Sequence, residues 1–108
     1  MNAGDLVVIH CGGPREKFWG VLLALAPAGA TARVVPLEAF EDWLRQCASR
    51  GPQLLGPVTV FLPAHRIERI ELDETAGVAE GLGSRFERVT GQDPRAELSA
   101  GSASGDEN

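Results

Sequence analysis

Residues 18–26, Phe18-Trp19-Gly20-Val21-Leu22-Leu23-Ala24-Leu25-Ala26, limit the possible folds more than any other segment. The run stops at Pro27-Ala28-Gly29, a turn signal, and Ala30–Pro36 reads as a strand returning beside it. Along a strand, successive side chains point to opposite sides. Phe18, Leu22 and Ala24 then share one side; Trp19, Val21, Leu23 and Leu25 share the other. Both sides are apolar, so both need cover. Gly20 marks a bend or a close backbone approach. Together these features predict a small closed barrel wrapped by helices or by a second copy of itself.

The remaining segments fit around that core. Asp5–Cys11 is strand-like and ends at the breaker Gly12-Gly13-Pro14. After Pro36 the period changes: Leu37, Phe40, Leu44 and Cys47 recur at helical spacing, with Trp43 beside them. Glu38, Glu41 and Asp42 fall early in this segment and Arg45 and Arg50 late, the order a helix dipole favours. The spacing predicts a helix over about 37–48, stopped by Gly51-Pro52. Residues 51–57 read as a loop, Val58–Leu62 as a strand, Pro63–Arg66 as one helical turn, and Ile67–Leu72 as the last strand. Val78, Leu82, Phe86 and Val89 suggest a second helix over about 78–90, weakened by Gly77, Gly81 and Gly83. The Gly-, Ser- and Ala-rich, acidic composition of 91–108 predicts a disordered tail after a single domain of residues 1–90.

Charge narrows the partners. The net charge is −5, and the tail's Asp93, Glu97, Asp106 and Glu107 leave the body close to neutral. A neutral body does not steer toward phosphate backbones. Four Phe, two Trp and no Tyr offer few stacking platforms for bases. The chain opens on a polar segment, Met1–Asp5, and has no apolar run of membrane-spanning length. Cys11 and Cys47 read as buried core thiols of a cytoplasmic protein that makes no membrane contact. His10, Cys11, Cys47 and His65 lack the spacing of a metal site, so no metal or cofactor is expected. No nucleophile–base arrangement emerges, so no catalytic residue is assigned and the chain reads as no enzyme.

Two stretches carry a family likeness. Trp19-Gly20-Val21-Leu22 places Gly at the bend of the second strand, and Phe61–Ile70 runs strand, tight turn, strand. Over residues 5–73 the chain resembles a five-stranded antiparallel barrel of the Sm-like or Src-homology type. The helix at 37–48 would be an insertion in it, and the helix at 78–90 a C-terminal addition. Lys17–Leu22 is also similar to the Lys-Phe-Trp-Gly-Val-Leu core of an uncharacterised bacterial protein family. Sm-like bacterial RNA-binding proteins line an RNA pocket with a Lys-His-Ala-Ile segment in the closing turn. The similar stretch here is Ala64-His65-Arg66-Ile67. That resemblance implies RNA binding through His65, with Arg15, Lys17, Arg66 and Arg69 as the accompanying basic residues, though charge disfavours it.

The apolar helical faces exceed what a small barrel needs. They favour a mainly β (α+β) domain that acts as a non-catalytic protein-interaction or assembly module, self-associating or binding another protein. Trp19, Phe40, Trp43, Leu44 and Phe86 are the expected interface anchors, because binding energy concentrates in buried aromatic residues. The alternative is Sm-like RNA binding or post-transcriptional regulation.

Overall fold

The computed structural model describes residues 1–51 and 54–106. Strands β1 (Leu6–Cys11), β2 (Glu16–Ala26) and β3 (Gly29–Pro36) lead through a short 3-10 turn, Leu37–Ala39, into helix α1 (Phe40–Ser49). Strand β4 (Val58–Pro63), a second 3-10 turn (Ala64–Arg66) and strand β5 (Ile67–Leu72) follow. Helices α2 (Leu82–Thr90) and α3 (Pro94–Asp106) end the chain. All strand pairs are antiparallel, in the order β4-β3-β2-β1-β5. No pairing joins β4 to β5 among the described residues, so the sheet is not closed by hydrogen bonds. The domain is therefore α+β with an open five-stranded sheet. Within the predicted loop 51–57, Pro52 and Gln53 lie outside the described residues, as do Glu107 and Asn108 of the predicted tail.

The apolar strand is present, and Gly20 explains its shape. A β-carbon at Gly20 would lie 2.0 Å from the Arg33 carbonyl oxygen and 2.7 Å from Val34 Cα. Only a bare backbone lets β2 cross β3 this closely. The prediction that both sides of 18–26 are covered holds as far as Leu22 and fails beyond it. A bulge between Leu22 and Ala24 inserts Leu23 as an unpaired residue. After the bulge the hairpin runs past the helices, leaving Leu23 43% and Leu25 55% exposed.

Two cores flank the sheet. On one face Leu6, Trp19, Val21 and Val35 pack against Phe40, Trp43, Leu44 and Cys47 of α1, Phe86 of α2 and Leu98 of α3. Trp19 meets Phe40 edge-on at 5.0 Å between centroids, and Trp43 stacks on Phe86 at 4.9 Å. Glu41 and Arg85 tie α1 to α2 by a two-pronged pair, at 2.7 and 3.1 Å. The other face buries Val7, Ile9, Cys11, Leu22, Ala30, Ala32, Val34 and Leu62, flanked by Phe18, Val60, Ile67 and Ile70. Every one of these residues comes from a strand. Among the described residues, no helix contributes a side chain to this cluster. A register shift beside Cys11 brings Ile67 opposite it, which places Ile67 against that cluster.

Helix α1 matches the predicted segment; Arg50, in the left-handed region at φ 58°, ends it. Two predictions need correction. The second helix starts at Leu82 rather than 78, and Val78 is fully exposed. Asp73 sets this start: its carboxylate accepts hydrogen bonds from the backbone N–H of Leu82 (2.7 Å) and Gly83 (2.6 Å). The disordered tail is also overturned over residues 94–100, which belong to α3. Leu98 is fully buried against the aromatic core. Arg33 Nε donates to the Leu98 carbonyl at 2.8 Å, and Arg95 Nε to the Gly4 carbonyl at 2.7 Å. No helix among the described residues is long and apolar enough to cross a membrane.

Candidate functional site

Arg15, Lys17 and Arg69 converge where β1 turns into β2. They line an open cleft of about 320 Å³ together with Glu16 and Glu68, so its cations are largely offset. Arg15 and Lys17 also border a neighbouring cleft of about 460 Å³ beside Phe18 and Leu37. His65 is exposed and lines neither of these clefts. Arg66 is committed to structure. Its guanidinium donates to the carbonyls of Gly12 (3.1 Å) and Pro14 (2.6 Å) and to the Glu16 carboxylate (2.7 Å). It clamps the Gly12–Arg15 turn, whose Gly13-Pro14 peptide is cis. The structure thus brings together three of the five residues of the RNA-binding expectation, places His65 apart, and uses Arg66 as a loop clamp.

Beside the cleft, His10 Nε2 donates to Glu71 Oε1 at 2.7 Å, and Arg69 Nε lies 3.4 Å from the other Glu71 oxygen. The hydrogen bond from His10 holds the Glu71 carboxyl below the usual carboxylate range; Arg69 and Lys17 reinforce it. Cys11 is buried, and burial raises its thiol above the ordinary value while Arg66 partly opposes. Burial pushes the Cys47 thiol up to about 11. A thiol kept protonated is a poor nucleophile. Among the described residues, no three His, Cys, Asp or Glu side chains gather as metal ligands would.

The expected interface anchors require correction. Trp19, Phe40, Trp43, Leu44 and Phe86 are all buried between the sheet and the helices of the same chain. They hold the fold together and offer no surface. Phe40, Trp43 and Leu44 have the spacing of an amphipathic helix face, which reads alike whether its cover comes from the same chain or another.

Sequence reasoning missed Asp73. Besides capping α2, its Oδ2 accepts the Trp19 indole N–H at 3.0 Å, joining the end of β5 to the aromatic core. A β-carbon at Gly83 would lie 2.6 Å from Leu6 Cδ1 and 3.1 Å from Asp73 Oδ2, so this glycine is where the clamp closes. The signal available was Gly81-Leu82-Gly83, which marks close approach as well as weak helix propensity.

The surface that is open belongs to the sheet edges. Strand β4, Val58-Thr59-Val60-Phe61-Leu62-Pro63, carries no charged residue. Its outer side is unpaired among the described residues. Val58 is 51% and Phe61 55% exposed. Half-exposed Leu25 shares a cross-strand row with Ala30 and Leu62, both of which are buried. Strand β5, Ile67-Glu68-Arg69-Ile70-Glu71-Leu72, is the opposite edge and carries exposed Glu68, Arg69 and Glu71. Charged side chains are a standard guard against strand addition; an uncharged apolar edge lacks that guard. No protein-family model matches this chain, and no curated protein or solved structure is significantly similar to it.

Proposed function

We propose that this chain is a non-catalytic protein-interaction or assembly module that works by accepting a strand at the β4 edge. The observation that carries the reading is the uncharged edge segment Val58–Leu62, with Val58 and Phe61 half-exposed. Strand addition supplies affinity through main-chain hydrogen bonds and specificity through alternate side chains. The scaffold reads as a small barrel of the Sm-like or Src-homology type. The strand order, the 3-10 turn between β4 and β5, and the helix-free core support that reading. Cys11 and Cys47, buried as thiols in separate cores, favour a cytoplasmic setting and make poor nucleophiles.

A capped, uncharged peptide of alternating Thr and Val tests the edge. Its addition is expected to shift backbone amide resonances of β4 and leave those of β5 unmoved; Phe61→Lys should abolish the shifts. Absence of β4 shifts at saturating peptide overturns the reading. The basic residues Arg15, Lys17 and Arg69 keep RNA as the competing outcome. Retardation of single-stranded RNA that weakens as salt rises, without peptide binding, would favour it.

A further inference from the structure

We infer that the strand β4 accepts is β4 of a second copy of this chain, running antiparallel across a two-fold axis at Val60. The inference rests on the reading of β4 as a pairing edge and adds the identity of its partner.

Charge is the first argument. Like-to-like contact of Val58–Leu62 sets no charged side chain against another, because the segment has none. Pairing β4 with β5 of another copy would instead lay Glu68, Arg69 and Glu71 along an apolar strand. Symmetry is the second. A two-fold axis perpendicular to the sheet makes an isologous contact in which the same patch serves both copies. It also keeps each side chain on its own face, since paired residues of antiparallel strands share a face. Centred on Val60, the axis sets Val58 opposite Leu62 and Thr59 opposite Phe61. Both half-exposed residues, Val58 and Phe61, then gain a neighbour. The prolines fix the register. Proline has no N–H to donate. Centring on Thr59 would bring Pro57 opposite Phe61, and centring on Phe61 would bring Pro63 opposite Thr59. Val60 is the centre that pairs all five residues of Val58–Leu62 without a proline.

Sedimentation equilibrium over a wide concentration range tests the inference, with circular dichroism confirming that each variant is folded. The wild-type chain is expected to dimerise. Phe61→Lys and Val58→Lys, two independent changes at exposed positions, should each raise the dissociation constant about tenfold or more. Arg69→Ala, on the opposite edge, should leave it within about twofold. A dimer indifferent to both lysine variants, or one lost in Arg69→Ala, overturns the inference. A chain that stays monomeric while its β4 amides still respond to the Thr/Val peptide overturns the self-pairing and leaves the edge reading standing. A monomer whose β4 amides ignore the peptide overturns both.

Discussion

The two faces of this sheet are hidden by different means. On one face, four aromatic rings from three separate elements meet: Trp19 from β2, Phe40 and Trp43 from α1, and Phe86 from α2. The large rings bridge a gap between layers, and their cover is detachable in principle, because α1, α2 and α3 lie outside the sheet. On the other face, small and β-branched residues such as Val7, Ile9, Ala30, Ala32 and Val34 are buried in a cluster drawn from strands. One core therefore depends on docked helices, the other on the strands themselves. The aromatic core is built on large rings; the strand core is built on smaller side chains.

Truncation should expose that contrast most strongly. Trp43→Ala removes the ring stacked on Phe86 and is expected to cost about 3–5 kcal/mol of unfolding free energy. Ile9→Val, at an equally buried position on the strand face, should cost about 0.5–1.5 kcal/mol. Chemical denaturation measures both, and a Trp43→Ala loss no larger than the Ile9→Val loss would show that the docked helical layer adds little to the fold. Trp43 has one feature that softens its loss: its Nε1 is buried without a hydrogen-bond partner among the described residues, so the truncation also removes an unsatisfied donor.

Asp73→Ala comes next, because Asp73 links the detachable layer to the sheet. The change leaves the N–H groups of Leu82 and Gly83 and the Trp19 indole N–H without their carboxylate acceptor. The expected loss is about 2 kcal/mol, in the range for hydrogen bonds to a charged group. The Trp19 indole proton resonance should move with it. Asp73→Asn keeps an acceptor oxygen and should recover part of the stability. An Asp73→Ala protein that melts like the wild type, with an unmoved indole signal, would show that α2 is held by its apolar face alone.

What was readable from the residues follows the range of the interaction involved. The strand at 18–26, the bare backbone at Gly20 and the helix at 37–48 rest on local pattern, and all three are present. The bulge at Leu23 was not readable, because an apolar run looks the same with or without a register shift. Helix α2 was placed four residues early because Val78 happens to extend its spacing. Its true start is set by Asp73, nine residues before Leu82 in the chain. Among the described residues, helix α3 buries Pro94 and Leu98, too few for any periodic signal. Arg33, 65 residues earlier, holds its backbone. The candidate edge was visible in composition, since Val58–Pro63 has no charge, but only the strand order shows that it lies at a border. Arg66 looked like an exposed cation because nothing local reveals that the turn at Gly12–Arg15 folds back over it.

A further expected effect is alkaline and belongs to the docked face. Cys47, on the buried side of α1, packs into the aromatic core, where burial raises its thiol from an ordinary 9.0 to about 11. A raised value means the folded chain holds the proton more tightly than the unfolded chain. The resulting stabilisation is whole below pH 9, where both states are protonated. It shrinks as the unfolded thiol ionises and is gone once pH passes about 11. Cys47→Ala removes the titrating group, so its stability should fall less between pH 8 and pH 11 than that of the wild type. The comparison is between slopes, because the cavity left by the missing sulfur lowers the variant's stability at every pH. Equal slopes would mean that the thiol already meets solvent in the folded chain. The docked layer would then be open often enough to let hydroxide reach its core, and the aromatic face would be the looser of the two.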